Sequence, residues 1–529
     1  MKTWDVLIYD TTLRDGTQGD QISFSAEDKL RIARRLDEMG FHYIEGGWPG
    51  SNPRDRRFFK MARDVNFANT RLTAFGSTKK PDVPPDECRD FQALLEAETP
   101  AVTIFGKSWD LHATDILGIS LEDNLRSIED SVRYLKSKGK EVIFDAEHFF
   151  DGFKHNSAYA MKTVEAARRG GADMIVLCDT NGGTLTRDAV AAIEKVMTVL
   201  PGDHLGIHAH NDCGLAAATT LAAVDCGIRM VHGTVNGYGE RCGNADLITV
   251  IGNLSLKMGK RCLPPESLAH LTNLSRYVSD IANIPPLSSR PFVGRSAFAH
   301  KGGVHVNAIT KNPVAYEHID PELVGNQRRV LVSDLSGKSN IAYKAKEFGI
   351  NLDDHRGIER KIVREIKKME NEGYQFDAAD GSLSVLIKKA IGEFKEPFTL
   401  ELFHVIDEKA HETASRSQAM IKITVGDEHE ITAAEGNGPV NALDNALRKA
   451  LIKFYPQVEE MHLVDFKVRI LEGSEGTAAK VRVLLESRDN DEAWTTIGVS
   501  TNIIEASWYA LVDSIQYKLS KEKAPERGK

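Results

Sequence analysis

Cysteine is sparse in this chain, and no cysteine stands at motif spacing from another. Cys88, Cys178, Cys213, Cys226, Cys242 and Cys262 include no CxxC pair, which argues against a zinc knuckle or a dithiol redox motif and leaves free thiols in a reducing compartment as the expectation. An excess of positive charge is missing too: 67 Lys and Arg against 76 Asp and Glu give a net charge of -9. No nucleic-acid surface is expected from that balance. No uninterrupted apolar stretch is long enough to span a bilayer, and the N-terminal MKTWDVLIYDTTLRDG runs straight into charged residues instead of a signal-peptide core. The expectation is a cytoplasmic protein with no membrane partner. The 529 residues, 41% hydrophobic and 27% charged, predict two or three globular domains.

What is present begins with rhythm. Short apolar runs at 6–9, 43–45, 72–75, 102–105, 142–144, 174–177, 205–207 and 230–234 are each followed by a helical pattern. Ser25 opens one such helix, in which Leu30, Ala33, Leu36 and Met39 share a face before Gly40; Ser120 with Asp123 opens another in the capping-box arrangement. Eight alternations predict a (β/α)₈ barrel, with a doubly wound sheet as the second choice. In a barrel, the polar residues just after each run gather at one mouth. Here these are DTTLRDGTQ (10–18), EGGWPGSNP from Glu45, DAEHFFDG from Asp145, CDTNGG from Cys178, HAHND and NGYGERCGN.

In LGIHAHNDCG (205–214), His208 and His210 stand two apart on a predicted strand and so share one face. Alone, an H-x-H is more often a pair of hydrogen-bonded or surface histidines. With Asp15, and with Asn244 as a fourth ligand, the set suits Mg²⁺, Mn²⁺ or Zn²⁺ and keeps open positions for substrate. Taken singly, Asp15 also fits a turn before Gly16, and Asn244 an N-cap of the helix that follows.

DTTLRDGTQ together with LGIHAHNDCGLA resembles the two signature motifs of the DRE-TIM metallolyase superfamily, specifically its Claisen-condensing synthases, which include 2-isopropylmalate, homocitrate and citramalate synthases. EGGWPGSNPRD (45–55) and DAEHFFDG look most like the citramalate synthases. The resemblance implies condensation of acetyl-CoA with pyruvate and water to citramalate and CoA; 2-oxoisovalerate as acceptor, giving a 2-isopropylmalate synthase, is the nearest alternative. It implies that Arg14 stabilises developing negative charge and that Glu147 and Thr180 line the 2-oxo acid pocket. It implies further that His305, assisted by Glu147, removes the methyl proton, and that Tyr316 comes from the partner subunit of a homodimer. The family pattern has an acid two residues after the histidine, where this chain has Asn307. An aldol-type lyase on the same barrel and a non-catalytic sensor are the rivals from other classes.

The predicted divisions are a catalytic barrel over 1–282, helical linker subdomains over 283–395 and an α+β regulatory domain over 396–529. The break is IPPLSSRP, followed by the charged helical segment 356–373. SGKSN (336–340) imitates a phosphate loop, but Val332 stands where its first glycine belongs, so a helix start is expected there. Beyond Phe398, two β-β-α units are predicted, with Val440, Leu443, Leu447, Leu451 and Phe454 on one helical face and Ile504, Trp508, Leu511, Ile515 and Leu519 on another. They resemble the family's amino-acid-sensing domain, which implies isoleucine as effector; a plain dimerisation domain is the alternative.

Overall fold

The computed structural model describes residues 4–409, 416–471 and 478–521. Eight parallel strands close into a barrel in chain order: β1 (Leu7–Asp10), β2 (Tyr43–Gly47), β3 (Arg71–Ser77), β4 (Ala101–Lys107), β5 (Glu141–Glu147), β6 (Met174–Asp179), β7 (Leu205–Ala209) and β8 (Met230–Gly233). Because β1 pairs with both β2 and β8, the sheet has no edge, and the doubly wound alternative falls. Helices alternate with the strands as expected. The helix Ala26–Glu38 starts on a capping box, with the Asp28 amide donating to Ser25 Oγ and the Ser25 amide to the Asp28 carboxylate, both at 3.1 Å.

Period-two alternation divides each strand between two cores. One set of side chains, among them Ile8, Ile44, Val142, Phe144, Ile175 and Ile207, packs outward under the helices. The other set faces the barrel interior, where Tyr9, Tyr43, Ala101, Ile143, Met174, Val176, Cys178 and Met230 form a separate apolar plug. Farther along the same inward rows, toward the C-terminal strand ends, stand Glu45, Thr103, Asp145, His208 and His232, all buried. The interior therefore changes from apolar floor to polar mouth, and only the mouth can carry chemistry.

The described residues fall into two compact units, one running up to Phe298 and including Ile319–Gln327, the other made of Ala299–His318 and the residues from Arg328 onward. In the second unit, β9 (Ala299–His300) and β10 (Arg329–Val330) pair in parallel. The helix Gly303–Lys311 follows β9, and SGKSN does open a helix, Lys338–Glu347. The helix Ile358–Asn371 buries Ile362 and Ile366.

Farther on, β11 (Thr399–Glu408), β12 (Arg416–Val425) and β13 (Glu428–Gly436) make one antiparallel sheet, and β14 (His462–Ile470), β15 (Val481–Arg488) and β16 (Ala493–Ser500) another. The helices Pro439–Ile452 and Ile503–Lys521 share one apolar core with both sheets. Each unit is therefore β-β-β-α, one strand more than the β-β-α expectation. In β13 only Thr432 is buried, so that strand carries almost no apolar alternation to read. β16 was hidden for the opposite reason: Trp494, Thr496, Ile497 and Val499 are all buried, and its apolar run merges with the helix after it. Phe454 lies beyond the end of its helix at Ile452.

One contact fixes the barrel wall near the mouth. Lys29 is fully buried, donates to the Gly46 carbonyl at 3.0 Å and pairs with Asp55, which also accepts the Trp48 amide at 2.9 Å. Removing the cation strands a buried carboxylate, so Lys29→Met should cost about 3 kcal/mol, seen as a large fall in the urea midpoint of the barrel. Arg57→Met, which breaks an exposed pair with Glu27, should leave that midpoint almost unchanged.

Candidate active site and metal centre

The site is built where β1 ends. Asp10 accepts the Thr12 amide at 2.9 Å and its hydroxyl at 2.8 Å, while Thr12 Oγ1 accepts the Val235 amide at 2.8 Å. This stitches the β1 turn to the loop after β8. The turn then presents Arg14 and Asp15 on a short 3₁₀ segment, Asp15–Gln18. Arg14 donates from Nε to Glu45 Oε2 at 2.6 Å and lies with its Cζ 3.9 Å from the centre of the Phe75 ring. Glu45 also accepts from Thr11 Oγ1 at 2.6 Å and Tyr9 OH at 2.7 Å, so the guanidinium has a fixed anchor.

Asp15 Oδ2 lies 3.3 Å from His208 Nε2 and 3.7 Å from His210 Nε2, and the two Nε2 atoms are 3.3 Å apart. All three residues are buried, and they form the one group among the described residues whose His, Cys, Asp and Glu ligand atoms could hold a metal ion. A carboxylate oxygen and two imidazole nitrogens converge here. Ligand atoms around a divalent ion at about 2.1 Å lie about 3 Å apart, so the residues fit such an ion. Asn244 is bridged to His210, donates from Nδ2 to the Tyr238 carbonyl at 3.2 Å, and has a buried Oδ1 without a partner. It does not cap the helix that follows; Asp246 does.

Glycines make this approach feasible. A side chain at Gly182 (φ +62°) would run into the Asp212 carboxylate and the His210 backbone, and one at Gly239 (φ +153°) into the Asn244 amide.

The electrostatics follow from burial and neighbours. Burial would raise the Asp15 carboxyl, but Arg14 and His208 outweigh it and hold the group well below the usual carboxylate range. Burial opposes charge on His208 as well, yet the Asp15 hydrogen bond leaves its pKa raised. His210, buried and beside His208, falls to about 4. Burial, reinforced by the charge of Glu45, lifts Asp145 to about 7.

Of the other expected residues, Glu147 ends β5 and is ion-paired with Lys107 of β4. Thr180 Oγ1 accepts the amide of His148, a residue in the left-handed region at φ 58°, at 2.9 Å. The barrel thus carries Arg14, Asp15, Glu147, Thr180, His208, His210 and Asn244 around its C-terminal mouth. His305 and Tyr316 belong to the second unit, where their rings stack at 4.2 Å.

Sequence reasoning assigned no role to Glu45, Phe75, Phe105, Lys107 or Asp145. For Glu45 a signal existed: a carboxylate two residues from Tyr43 on one face of an otherwise apolar run must find donors inside the barrel.

The HMGL-like family matches residues 5–278, the homocitrate synthase post-HMGL domain-like family residues 292–374, and the LeuA allosteric (dimerisation) domain residues 377–519. An (R)-citramalate synthase of Aquifex aeolicus is 53% identical over 519 residues, covering 98% of each chain. One from Geobacter sulfurreducens is 53% identical over 525 residues, covering 99% of each. A probable 2-isopropylmalate synthase of Methanopyrus kandleri is 32% identical over 522 residues, covering 96% of this chain and 97% of its own.

Two outcomes test the electrostatics. Divalent ion should raise the melting temperature of chelator-stripped protein, with a gain of about 2.7 kcal/mol at a hundredfold excess over Kd, and His208→Ala should abolish the rise; an equal rise in the variant would remove His208 from the ligand set. The Asp145 carboxyl, raised from 3.8 to about 7, contributes stability that is full below about pH 4 and lost as pH climbs through 7. In stripped protein, Asp145→Asn should therefore gain on the parent chain by about 2 kcal/mol more at pH 8 than at pH 5, measured by urea unfolding at both.

Proposed function

The chain belongs to the citramalate synthases of the HMGL-like family, and on that premise we propose that it condenses acetyl-CoA with pyruvate and water, giving (R)-citramalate and CoA. The observation that carries the reading is the convergence of Asp15, His208 and His210 beside an anchored Arg14. A divalent ion, Mg²⁺, Mn²⁺ or Zn²⁺, held by those three with Asn244 as fourth ligand, supplies Lewis acidity toward a 2-oxo acid. Arg14, fixed by Glu45, stabilises the negative charge that grows on the keto oxygen. Thr180 and Glu147 line the acid's pocket. His305, with Tyr316 of the same chain stacked on it and with Glu147 assisting, takes a methyl proton from acetyl-CoA, and in the homodimer these two rings of one subunit serve the site of its partner. The methyl carbon then bonds to the keto carbon, the keto oxygen takes up a proton, and water cleaves the thioester to release CoA.

Acceptor size is the point at which 2-isopropylmalate synthase is the rival reading. Trp48 meets Phe75 and Phe105 edge-on at 5.7 and 5.6 Å, those two rings stack at 5.4 Å, and Phe75 lies against Arg14. Phe75 and Phe105 share the inward rows of Thr73 and Thr103, so aromatic bulk crowds the space beside the guanidinium. That favours the smaller acid.

The matched LeuA allosteric (dimerisation) domain supports a homodimer whose region 396–529 senses isoleucine, the end product expected of a citramalate pathway, behind a linker over 283–395 and a catalytic region over 1–282. No helix among the described residues is long and apolar enough to cross a membrane, which fits a cytoplasmic enzyme.

CoA release with acetyl-CoA and Mg²⁺ or Mn²⁺, against pyruvate, 2-oxobutyrate, 2-oxoisovalerate and 2-oxoglutarate in turn, tests the reading. Pyruvate should be strongly preferred and the rate should fall with isoleucine. Phe105→Ala should shift relative kcat/KM toward 2-oxoisovalerate by roughly 10-fold. Preference of the parent chain for 2-oxoisovalerate would move it to the rival synthase, and no release with any acid would return the lyase and sensor readings.

A further inference from the structure

The stack of His305 on Tyr316 poses a physical question. Both side chains are exposed, Tyr316 by 47%, and two exposed rings gain too little from a single face contact to offset the rotamer freedom they give up. Their backbones must be held instead. His305 lies in the first turn of the helix Gly303–Lys311, and Tyr316 closes the 3₁₀ turn Pro313–Ala315, its amide donating to the Pro313 carbonyl at 3.1 Å.

The residue after Tyr316 is unlike its neighbours. Glu317 is buried, and both of its oxygens are engaged: Oε1 accepts from Arg328 Nε at 2.6 Å and lies 3.1 Å from His300 Nε2, while Oε2 accepts from Arg328 Nη2 at 2.5 Å. His300 sits in β9, five residues before His305, and its carbonyl accepts the Leu331 amide at 2.8 Å beside β10. Arg328 immediately precedes β10. One carboxylate thus ties the residue next to the Tyr316 ring both to the strand that leads into the His305 helix and to that strand's partner.

We propose that Glu317 is a positioning residue that holds the Tyr316 ring over the His305 imidazole. A buried carboxylate with three nitrogen partners could serve stability alone; its place, next to Tyr316 in the chain and bonded to His300 of the strand that leads into the His305 helix, is what assigns it to the stack. Burial would raise the Glu317 carboxyl, but Arg328 and His300 outweigh it and keep the pKa low, so the clamp stays ionised through neutral pH. The consequence for turnover rests on the roles proposed above for His305 and Tyr316. Loss of alignment of a reacting group costs about 10- to 100-fold in rate.

The test uses the full chain carrying ¹³C-labelled histidine. The His305 Cε1–H resonance is assigned by its loss in His305→Ala, and Tyr316→Ala gives its position without the ring above it. Glu317→Gln keeps an acceptor for Arg328 Nε but turns an N–H₂ toward Nη2. It should move the resonance to the Tyr316→Ala position and lower kcat at least about 10-fold, with KM for pyruvate and acetyl-CoA within about twofold. In a Tyr316→Ala background the same substitution should lower kcat no further, because a residue acting through another is not additive with it. A folded Glu317→Gln protein whose His305 resonance stays in place, or whose loss adds in full to that of Tyr316→Ala, overturns the proposal. If His305→Ala and Tyr316→Ala keep full turnover, the catalytic roles fail while the resonance still decides the clamp. If Glu317→Gln does not fold, Arg328→Lys, which keeps the charge but loses the planar fork, takes its place with the same readouts.

Discussion

The Glu45 carboxylate is the constraint from which the barrel mouth is built. It is wholly buried and accepts hydrogen bonds from Tyr9, Thr11 and Arg14, so its charge is met by three donors from the β1 strand and turn. Thr103 of β4, 2.7 Å from the Tyr9 hydroxyl, extends the network across the interior. Breaking a buried pair of this kind leaves an uncompensated charge and costs several kcal/mol, which keeps Arg14 in one place without any ligand. Arg14 in turn holds Asp15 ionised, and Glu45 itself pushes Asp145 the other way. Burial would raise both aspartates; it prevails at Asp145, where Glu45 reinforces it, and is outweighed at Asp15 by Arg14 and His208, so the two are shifted in opposite directions.

Polarity in the barrel is graded along its axis. Tyr43, Ile143, Met174 and Met230 close the floor, and the same inward rows end in Glu45, Asp145, His208 and His232. An apolar floor stabilises the barrel through burial and excludes water from below. Ionisable groups at the upper end then lie in a low-dielectric setting, where a charge interaction is worth far more than in water.

The second unit repeats the device on a smaller scale. Glu317 gathers His300 and Arg328 as Glu45 gathers Tyr9, Thr11 and Arg14. In both places a buried carboxylate accepts from side chains that stand apart in the sequence and ties their segments together. The sheets farther on follow another rule: β12 alternates buried Ala419, Ile421 and Ile423 with more exposed neighbours, and its apolar face is covered by helix.

Local pattern was enough to determine the barrel, because eight apolar runs separated by capped amphipathic helices have few other ways to bury both faces of their strands. It was also enough to pick out Asp15, His208 and His210, since H-x-H on a strand and an Asp in the first βα turn converge in any such barrel. It failed where signals depended on partners far away in the chain. β13 has one buried side chain and thus no alternation to read, and the strand of Trp494 and Ile497 merged with the helix behind it. Glu45, Phe75 and Phe105 look like ordinary strand residues until the barrel closes and brings them against Arg14. Glu317 is one acid in a charged loop until Arg328 and His300 fold onto it. Strand and helix periods are written in neighbouring residues, so the sequence by itself determined the barrel and the meeting of Asp15, His208 and His210 at its mouth; desolvation, ring packing and the pairing of buried charges are set by distance in space, and only the tertiary structure decided those.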